Sequence, residues 1–460
     1  MGPVWAASKS SQQTSQRSDS GSEPKGNRLP SIPPALRYPA YRNYWLGLLA
    51  SVGGYQMFRA AQAWLVYELT GSPLFLGYAA AANAAPGIFF NLFGGVFADR
   101  LNKRLLVMTT QAANAGLIFL LAVLTILGLV QVWHILVIVF LAGAVEAFDT
   151  PARQAIYPHL IDRSVMMSAV ALNSVVWSGN RIIAPAFAGF LIAATNMETS
   201  FFVAGFGFAV MSAVMLFLKV PYIPRGGRGN PLQDMWEGLS FIKANTIFSF
   251  LISMTFFNSF FGMAYVFLIP VFAQDYLGLG AGEYGMLLGI SGIGSLAINF
   301  WLGSRSNINT KARFIIGGAV MFGISLIAFG VTSRFIGSYA LALAILCLMG
   351  MFTSLYMISI QSTLQVLVPD QMRGRVMGFY GMTWSIMPLG GLQAGALANV
   401  GMIGAHGAII IGGIAVAAFA LGPAFLNRKV RDLDAPEDPN SPGPPIKVLS
   451  HEKTPAQPDN

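Results

Sequence analysis

The sequence predicts an all-α membrane protein whose twelve transmembrane helices form two pseudo-symmetric six-helix bundles. Three observations lead there. Apolar runs long enough to span a bilayer, about 20 residues each, fill most of the 460 positions. Basic residues are confined to alternate breaks between those runs. A short string near the end of the fourth run returns near the end of the tenth. Composition agrees, since 55% of residues are hydrophobic and only 10% charged, against about 25% charged in a soluble domain.

The elements follow in order. Residues 1–36 are rich in Ser, Gln and Pro, lack the apolar stretch of a cleavable signal peptide, and are expected to be a disordered cytoplasmic leader. Runs at 43–68, 73–97, 105–129, 133–157, 167–194 and 199–219 give an N-terminal bundle over 37–219. The longest internal break, 220–245, holds Pro221, Pro224, Arg225, Arg228, Pro231 and Lys243 and reads as a cytoplasmic linker. Runs at 246–274, 283–304, 313–332, 336–361, 374–399 and 404–426 give a second bundle over 246–431. The Pro- and acid-rich segment 432–460 is expected to be a disordered cytoplasmic tail.

Charge fixes the expected orientation. All of the 28 Lys and Arg except Arg59, Arg181 and Arg334 fall before the first run, in the tail, or in and at the borders of the breaks that an even number of spans returns to the same side. Both termini are therefore expected in the cytoplasm of a cell (inner) membrane protein. This placement also explains the net charge of +9 without invoking nucleic acid. The single cysteine, Cys347, excludes a disulfide framework or a cysteine zinc site, and His134, His159, His406 and His451 have no metal spacing. No phosphate loop with its Lys-Ser/Thr ending is present, so neither a cofactor nor ATP drive is expected, and no catalytic residue is assigned.

The densest signal is Gly95-Val-Phe-Ala-Asp-Arg-Leu-Asn-Lys-Arg104. Gly95 allows close helix approach, Asn102 tolerates the left-handed backbone of a tight turn, and the adjacent Asp99 and Arg100 must contact neighbouring elements rather than each other. The recurring string is Gln154-Ala-Ile-Tyr-Pro158 against Gln365-Val-Leu-Val-Pro369, and Gly95 to Lys103 has a worn counterpart in Gly303 to Lys311. The decapeptide resembles the signature loop between helices 2 and 3 of the major facilitator superfamily, through Gly95, Asp99, Arg100, Lys103 and Arg104, with Asn102 where that family usually has Gly. The resemblance implies alternating access between two halves. Asp149 and Arg153, toward the cytoplasmic end of the fourth span, are expected to pair with Asp99 and Arg100 in a gating network, or else to form a plain solvated surface. The loop is also expected to engage the start of the eleventh span near Arg373–Val376, whose backbone amides attract a carboxylate.

Ionisable groups inside spans are costly and usually functional or paired. At 100° per residue, Tyr55, Arg59 and Gln62 share a face of the first span. Arg59 lines a cavity or contacts an anion there, or else is tethered to Glu68. Glu146, Asp149 and Arg153 share a face of the fourth span, and Asn173, Trp177 and Arg181 a face of the fifth. Glu146 and Arg181 lie at similar depth, so they are expected to pair. Glu146 is then either a proton-coupling site, with Asp149 beside it, or half of a structural ion pair.

Gly179-Asn-Arg-Ile-Ile-Ala-Pro185-Ala-Phe-Ala-Gly189 resembles the helix 5 antiporter motif of exporting branches, with Ala184 and Ala188 at positions often Gly. Trp64-Leu-Val-Tyr-Glu-Leu-Thr-Gly-Ser72, Asp149-Thr-Pro-Ala-Arg-Gln-Ala155 and Ala171-Leu-Asn-Ser174 are similar to the multidrug and enterobactin-exporter branch. The resemblance implies proton-coupled export of a small amphipathic molecule by a monomer, through a cavity lined by the first, fourth, seventh and tenth spans. On the seventh span Met254, Asn258, Phe261 and Tyr265 share a face, and Tyr356 is the candidate on the tenth. An uptake symporter on the same fold is the alternative; a polytopic enzyme or a channel is a reading from another class.

Overall fold

Helix ends follow glycine and polar punctuation. The computed structural model describes residues 33–220, 231–304 and 311–426, and every regular element among them is helical. A single 3-10 turn, Pro34–Arg37, leads into α1 (Pro39–Thr70), which stops at Gly71 with φ of 58°. That left-handed cap is open to glycine at no steric cost. Then come α2 (Pro73–Arg100), α3 (Lys103–Ile126), α4 (Val132–Ile156), α5 (Met166–Ala194) and α6 (Met197–Phe217). Between α2 and α3, Asn102 has φ of −66° and its side chain accepts the Arg104 and Leu105 N–H groups at 3.1 and 3.3 Å. It is a helix N-cap, not the left-handed residue the sequence suggested. Ala35 is fully buried, its N–H donates to Ser168 Oγ at 3.3 Å, and Leu36 packs on the same cluster. Residues 1–32 and 432–460 lie outside the described residues.

Within the expected linker, α7 (Pro231–Ala244) is helical and packs on the second half, where Glu237 pairs with Arg375 at 2.8 Å. The seventh span is composite: α8 (Thr246–Phe257), a π turn Asn258–Gly262, α9 (Tyr265–Val271) and a second π turn Phe272–Tyr276. Next are α10 (Ala281–Gly303), α11 (Lys311–Phe335) and α12 (Tyr339–Leu367). The eleventh span is broken into α13 (Asp370–Trp384) and α14 (Met387–Ala398), with Pro388 in the first turn of α14, where a missing N–H does no harm but a continuous helix would lose a bond. α15 (Gly404–Leu426) closes the second half. Nine of the described helices are long and apolar enough to cross a membrane on length and composition alone.

In lipid, helices associate through close backbone packing rather than apolar burial, and glycines mark where. Within the first half, α1 packs on α6 and α2 on α4; within the second, α10 packs on α12 and α11 on α15. A Cβ on Gly143 would lie 2.2 Å from the Asn83 carbonyl oxygen of α2, and one on Gly350 would lie 1.8 Å from that of Ser291 in α10. These α2–α4 and α10–α12 contacts occupy equivalent places in the two halves. So do the two seams that join them, α5 on α10 and α2 on α14.

Both seams lie toward the end away from the α2–α3 turn. A Cβ on Gly189 would sit 2.3 Å from the Ala281 carbonyl oxygen, and one on Gly395 would sit 2.6 Å from that of Pro73. Tyr67 donates to Asp275, Ser72 Oγ to Asn399 Oδ1 at 3.1 Å, and Tyr284 OH to the Ala60 carbonyl at 3.1 Å, each across the halves. Nearer the other end, the extensive contacts of α8 and α13 are all with elements of the second half, and Trp177 of α5 is exposed and lines the space between the halves. The halves are thus closed at the far end and parted toward the basic turns.

Bulk at this seam is expected to push the far ends apart. With spin labels at exposed Thr195 and Glu283, the interspin distance distribution of Gly189→Leu should move to longer values. Gly179→Ala, where a Cβ meets nothing within 4 Å, should leave it unchanged. An unshifted distribution in folded Gly189→Leu would rule out this seam as the closing contact.

Candidate functional site

Three charges on one face of α4 organise the first half. Arg153 Nη2 donates to Glu146 Oε1 at 2.9 Å, and Arg153 Nε lies 2.5 Å from Asp149 Oδ2. Asp149 is fully buried; Thr110 donates to its Oδ1 at 2.6 Å and Gln111 Nε2 to its Oδ2 at 3.0 Å, both from α3. Ser51 of α1 donates to Gln111 Oε1 at 2.7 Å, and Tyr44 OH donates to the Arg153 carbonyl at 3.3 Å. Thr150 donates to Glu146 Oε1 at 2.9 Å. One guanidinium therefore balances two carboxylates, and α1, α3 and α4 are joined through them.

Glu146 is the member that reaches open space. It lines a cavity of about 380 Å³ between the halves, together with Tyr55, Arg59, Trp177, Arg181, Tyr265 and Trp384 among others. A side lobe of about 40 Å³, lined by Glu146, Arg59, Gln62, Asn83 and Asn114, has room for a water molecule. Arg59 sits with its guanidinium 5.7 Å from the ring centroids of both Tyr55 and Phe267, and its Nη1 donates to Tyr55 OH at 3.4 Å. Its polar contact is thus Tyr55, not Glu68. Aromatic faces of this kind hold a cation by their quadrupoles without neutralising it.

The structure brings Tyr55, Arg59, Gln62, Glu146, Arg181, Pro185 and Tyr265 to the cavity and its lobe. It corrects the expected pairing of Glu146, whose ionic partner is Arg153 on its own helix; Arg181 is exposed to the cavity. Asn258, Phe261 and Tyr356 do not line the cavity. Asn258 is buried in the first π turn, Phe261 packs on Phe257, and Tyr356 is fully buried against Phe322. The reason is the π geometry: the Met263 N–H bonds the Asn258 carbonyl five residues back, at 2.8 Å. An extra residue in that turn rotates everything beyond it, so Tyr265 parts from the face it was assigned to. Pro185 and Gly189 of the helix 5 stretch form the α5–α10 seam, while Gly179 faces open space.

At the α2–α3 turn, Arg104 Nε donates to the Met215 carbonyl at 2.7 Å and its Nη2 to that of Leu216, so it caps the C-terminal end of α6. Lys103 is buried. The side chains of Gly95, Asp99 and Arg100 lie outside the described residues. Sequence reasoning missed Thr110, Gln111, Phe267 and Trp384. The first two were visible as a polar pair inside the apolar run of α3.

An all-helical chain closed at one end around a charged, aromatic cavity is the architecture of a secondary transporter. The family model described as transmembrane secretion effector matches residues 31–455, and the chain belongs to this family of the major facilitator superfamily. It is 26% identical over 377 residues to the staphyloferrin A transporter of Staphylococcus aureus, covering 80% of this chain and 91% of that one. It is 23% identical over 399 residues to macrolide efflux protein A of Streptococcus pyogenes, covering 85% and 96%. Identity to the multidrug efflux pump Tap of Mycolicibacterium fortuitum is 23%, over 82% and 92%. Among solved structures, a bacterial homologue of the human lysosomal transporter Spinster, inward-facing and unoccupied, superposes with a TM-score of 0.64 at 14% identity, over 88% of this chain and 98% of that one. That likeness concerns the fold alone.

Removing Arg153 should be severe, because it strands the fully buried Asp149 carboxylate and frees the half-buried Glu146; loss of one partner of a buried pair costs about 3–5 kcal/mol. Arg153→Met is expected to lower the melting temperature strongly in detergent. The triple variant Glu146→Gln, Asp149→Asn, Arg153→Met should recover most of that loss. Equal destabilisation in both would mean the pairing is not what holds α4.

Proposed function

We propose that the protein is a proton-coupled exporter of a small amphipathic molecule, working as a monomer by alternating access. The basic turns and both termini lie in the cytoplasm on this reading, as the asymmetry of Lys and Arg between alternate loops requires. The cavity is then inward-facing: parted toward the cytoplasm, closed at the far seams. Export rather than uptake is supported by the similarity to macrolide efflux protein A and to the multidrug efflux pump Tap. An amphipathic cargo is supported by a lining of Trp, Tyr, Phe and Met with few polar anchors.

One observation carries the coupling. Glu146 alone among the three charges on α4 faces the cavity and its side lobe, while its other attachment is Arg153 in the buried network. Adding a proton to Glu146 removes its hold on Arg153, which then turns fully to Asp149. The proton therefore changes both the cavity's charge and the link between α1, α3 and α4. Any difference in that link between inward and outward states makes protonation bias them, and coupling needs nothing more. The Asp99–Arg100 turn serves as the cytoplasmic gate, engaging the start of α13 when that end closes.

Glu146→Gln mimics the protonated form. In proteoliposomes it should abolish efflux driven by a pH gradient while keeping substrate counterflow near the wild-type rate. Gradient-driven transport retained in this variant would remove Glu146 from the coupling step; loss of counterflow with intact folding would make it a binding group instead.

A further inference from the structure

Resting on the export reading, the charge of the cavity narrows the kind of molecule carried. Arg59 and Arg181 line the same cavity, and among the described residues neither takes part in an ion pair. The contacts of Arg59 with Tyr55 and Phe267 orient its guanidinium and leave its charge uncompensated. Arg181 stands at the junction with a second compartment of about 190 Å³, in the second half. That compartment offers uncharged donors and acceptors, Ser295, Asn299, Thr353, Ser354 and Gln361. The Asn299 Oδ1 is buried and has no hydrogen-bond partner.

Among the described lining residues, the one acid on either compartment is Glu146, already engaged by Arg153 and Thr150. Two guanidinium groups thus face one carboxylate, and the space stays net positive whichever way Glu146 titrates. An opposite charge that enters this largely apolar cavity is drawn to guanidinium groups with no ionic partner of their own. A guanidinium fork meets oxyanions best, through paired N–H···O bonds to a carboxylate, sulfonate or phosphate. A cationic amphipath would face repulsion with no free acid to receive it.

We propose that the cargo is an amphipathic oxyanion. Its anionic group is held by Arg59 and Arg181 of the first half, and its apolar body lies against Tyr265, Phe267 and Trp384 of the second. Polar substituents of the cargo extend into the compartment of Ser295, Asn299 and Gln361. Holding one molecule by its charge on one half and by its body on the other makes binding sensitive to how the halves sit, as a carrier requires.

The test uses the full-length protein in nanodiscs of zwitterionic lipid, so that no anionic lipid competes. Pyrenebutyrate, pyrenebutanol and pyrenebutylamine share one apolar body and carry a negative, no and a positive charge respectively. Their binding is read by energy transfer from the cavity tryptophans. Pyrenebutyrate should bind about tenfold tighter than the alcohol. Arg59→Gln and Arg181→Gln should each remove most of that preference while leaving the affinity for the alcohol unchanged, which also reports a folded cavity. Tightest binding of the amine, or an undiminished preference for the butyrate in the double variant, would overturn the assignment. Proteoliposome efflux separates this inference from the export reading. Pyrenebutyrate bound through the arginines but never moved against its gradient would support the anion site and count against export. Expulsion of the amine in preference to the butyrate would support export and refute the anion site.

Discussion

One arginine shared by two carboxylates is the constraint on which the first half depends. Arg153 reaches Glu146 at 2.9 Å and Asp149 at 2.5 Å from the same helix, so the three cannot all be satisfied independently. Asp149, fully buried and fed by Thr110 and Gln111, is the anchored end. Glu146, at the cavity, is the end that can change. Burying such carboxylates is expensive unless they are bonded, and Thr110 and Gln111 of α3 supply those bonds to Asp149, as Thr150 of α4 does to Glu146. The network therefore does two things: it fixes the rotation of α4 against its neighbours, and it leaves one carboxylate on the cavity between the halves.

The seams between the halves obey a different rule. Lipid gives no apolar driving force for helices to meet, so the α5–α10 and α2–α14 contacts depend on glycines that let backbones touch. Such contacts are strong when registered and absent when separated, which suits an interface that has to open and close as a unit. With both seams at the far end and the extensive contacts of α8 and α13 confined to the second half, the cavity among the described residues is parted toward the basic turns. The charges of Arg59 and Arg181 stand within it.

Much of the fold was legible in the sequence because membrane helices are selected by length and by loop charge, and both are one-dimensional. The site was legible where helices are regular. Tyr55, Arg59 and Gln62 were assigned to one face of α1, and they do share the cavity and its lobe. Along α8 and α9 the same reasoning separated from the structure, since the π turn Asn258–Gly262 changes the rotation per residue, and Asn258 is buried away from the cavity that Tyr265 lines. Pairing Glu146 with Arg181 rested on depth alone. Depth says nothing of rotation, whereas Arg153, seven residues along the same face, was the nearer partner throughout. The break between α13 and α14 was written in Pro388, and the polar Thr110–Gln111 pair in an apolar run was the sign of a buried acceptor opposite.

The central claim is that Glu146, and not Asp149, is the carboxyl group that gains and loses a proton in the folded transporter. Infrared difference spectroscopy of the reconstituted protein between high and low pH tests it most directly, through the C=O stretch of a protonated carboxylic acid. The band should appear on acidification in the wild type, persist in Asp149→Asn, and be missing from Glu146→Gln. A band that survives in Glu146→Gln and vanishes in Asp149→Asn would contradict the account, because the buried anchor would then be the group that titrates.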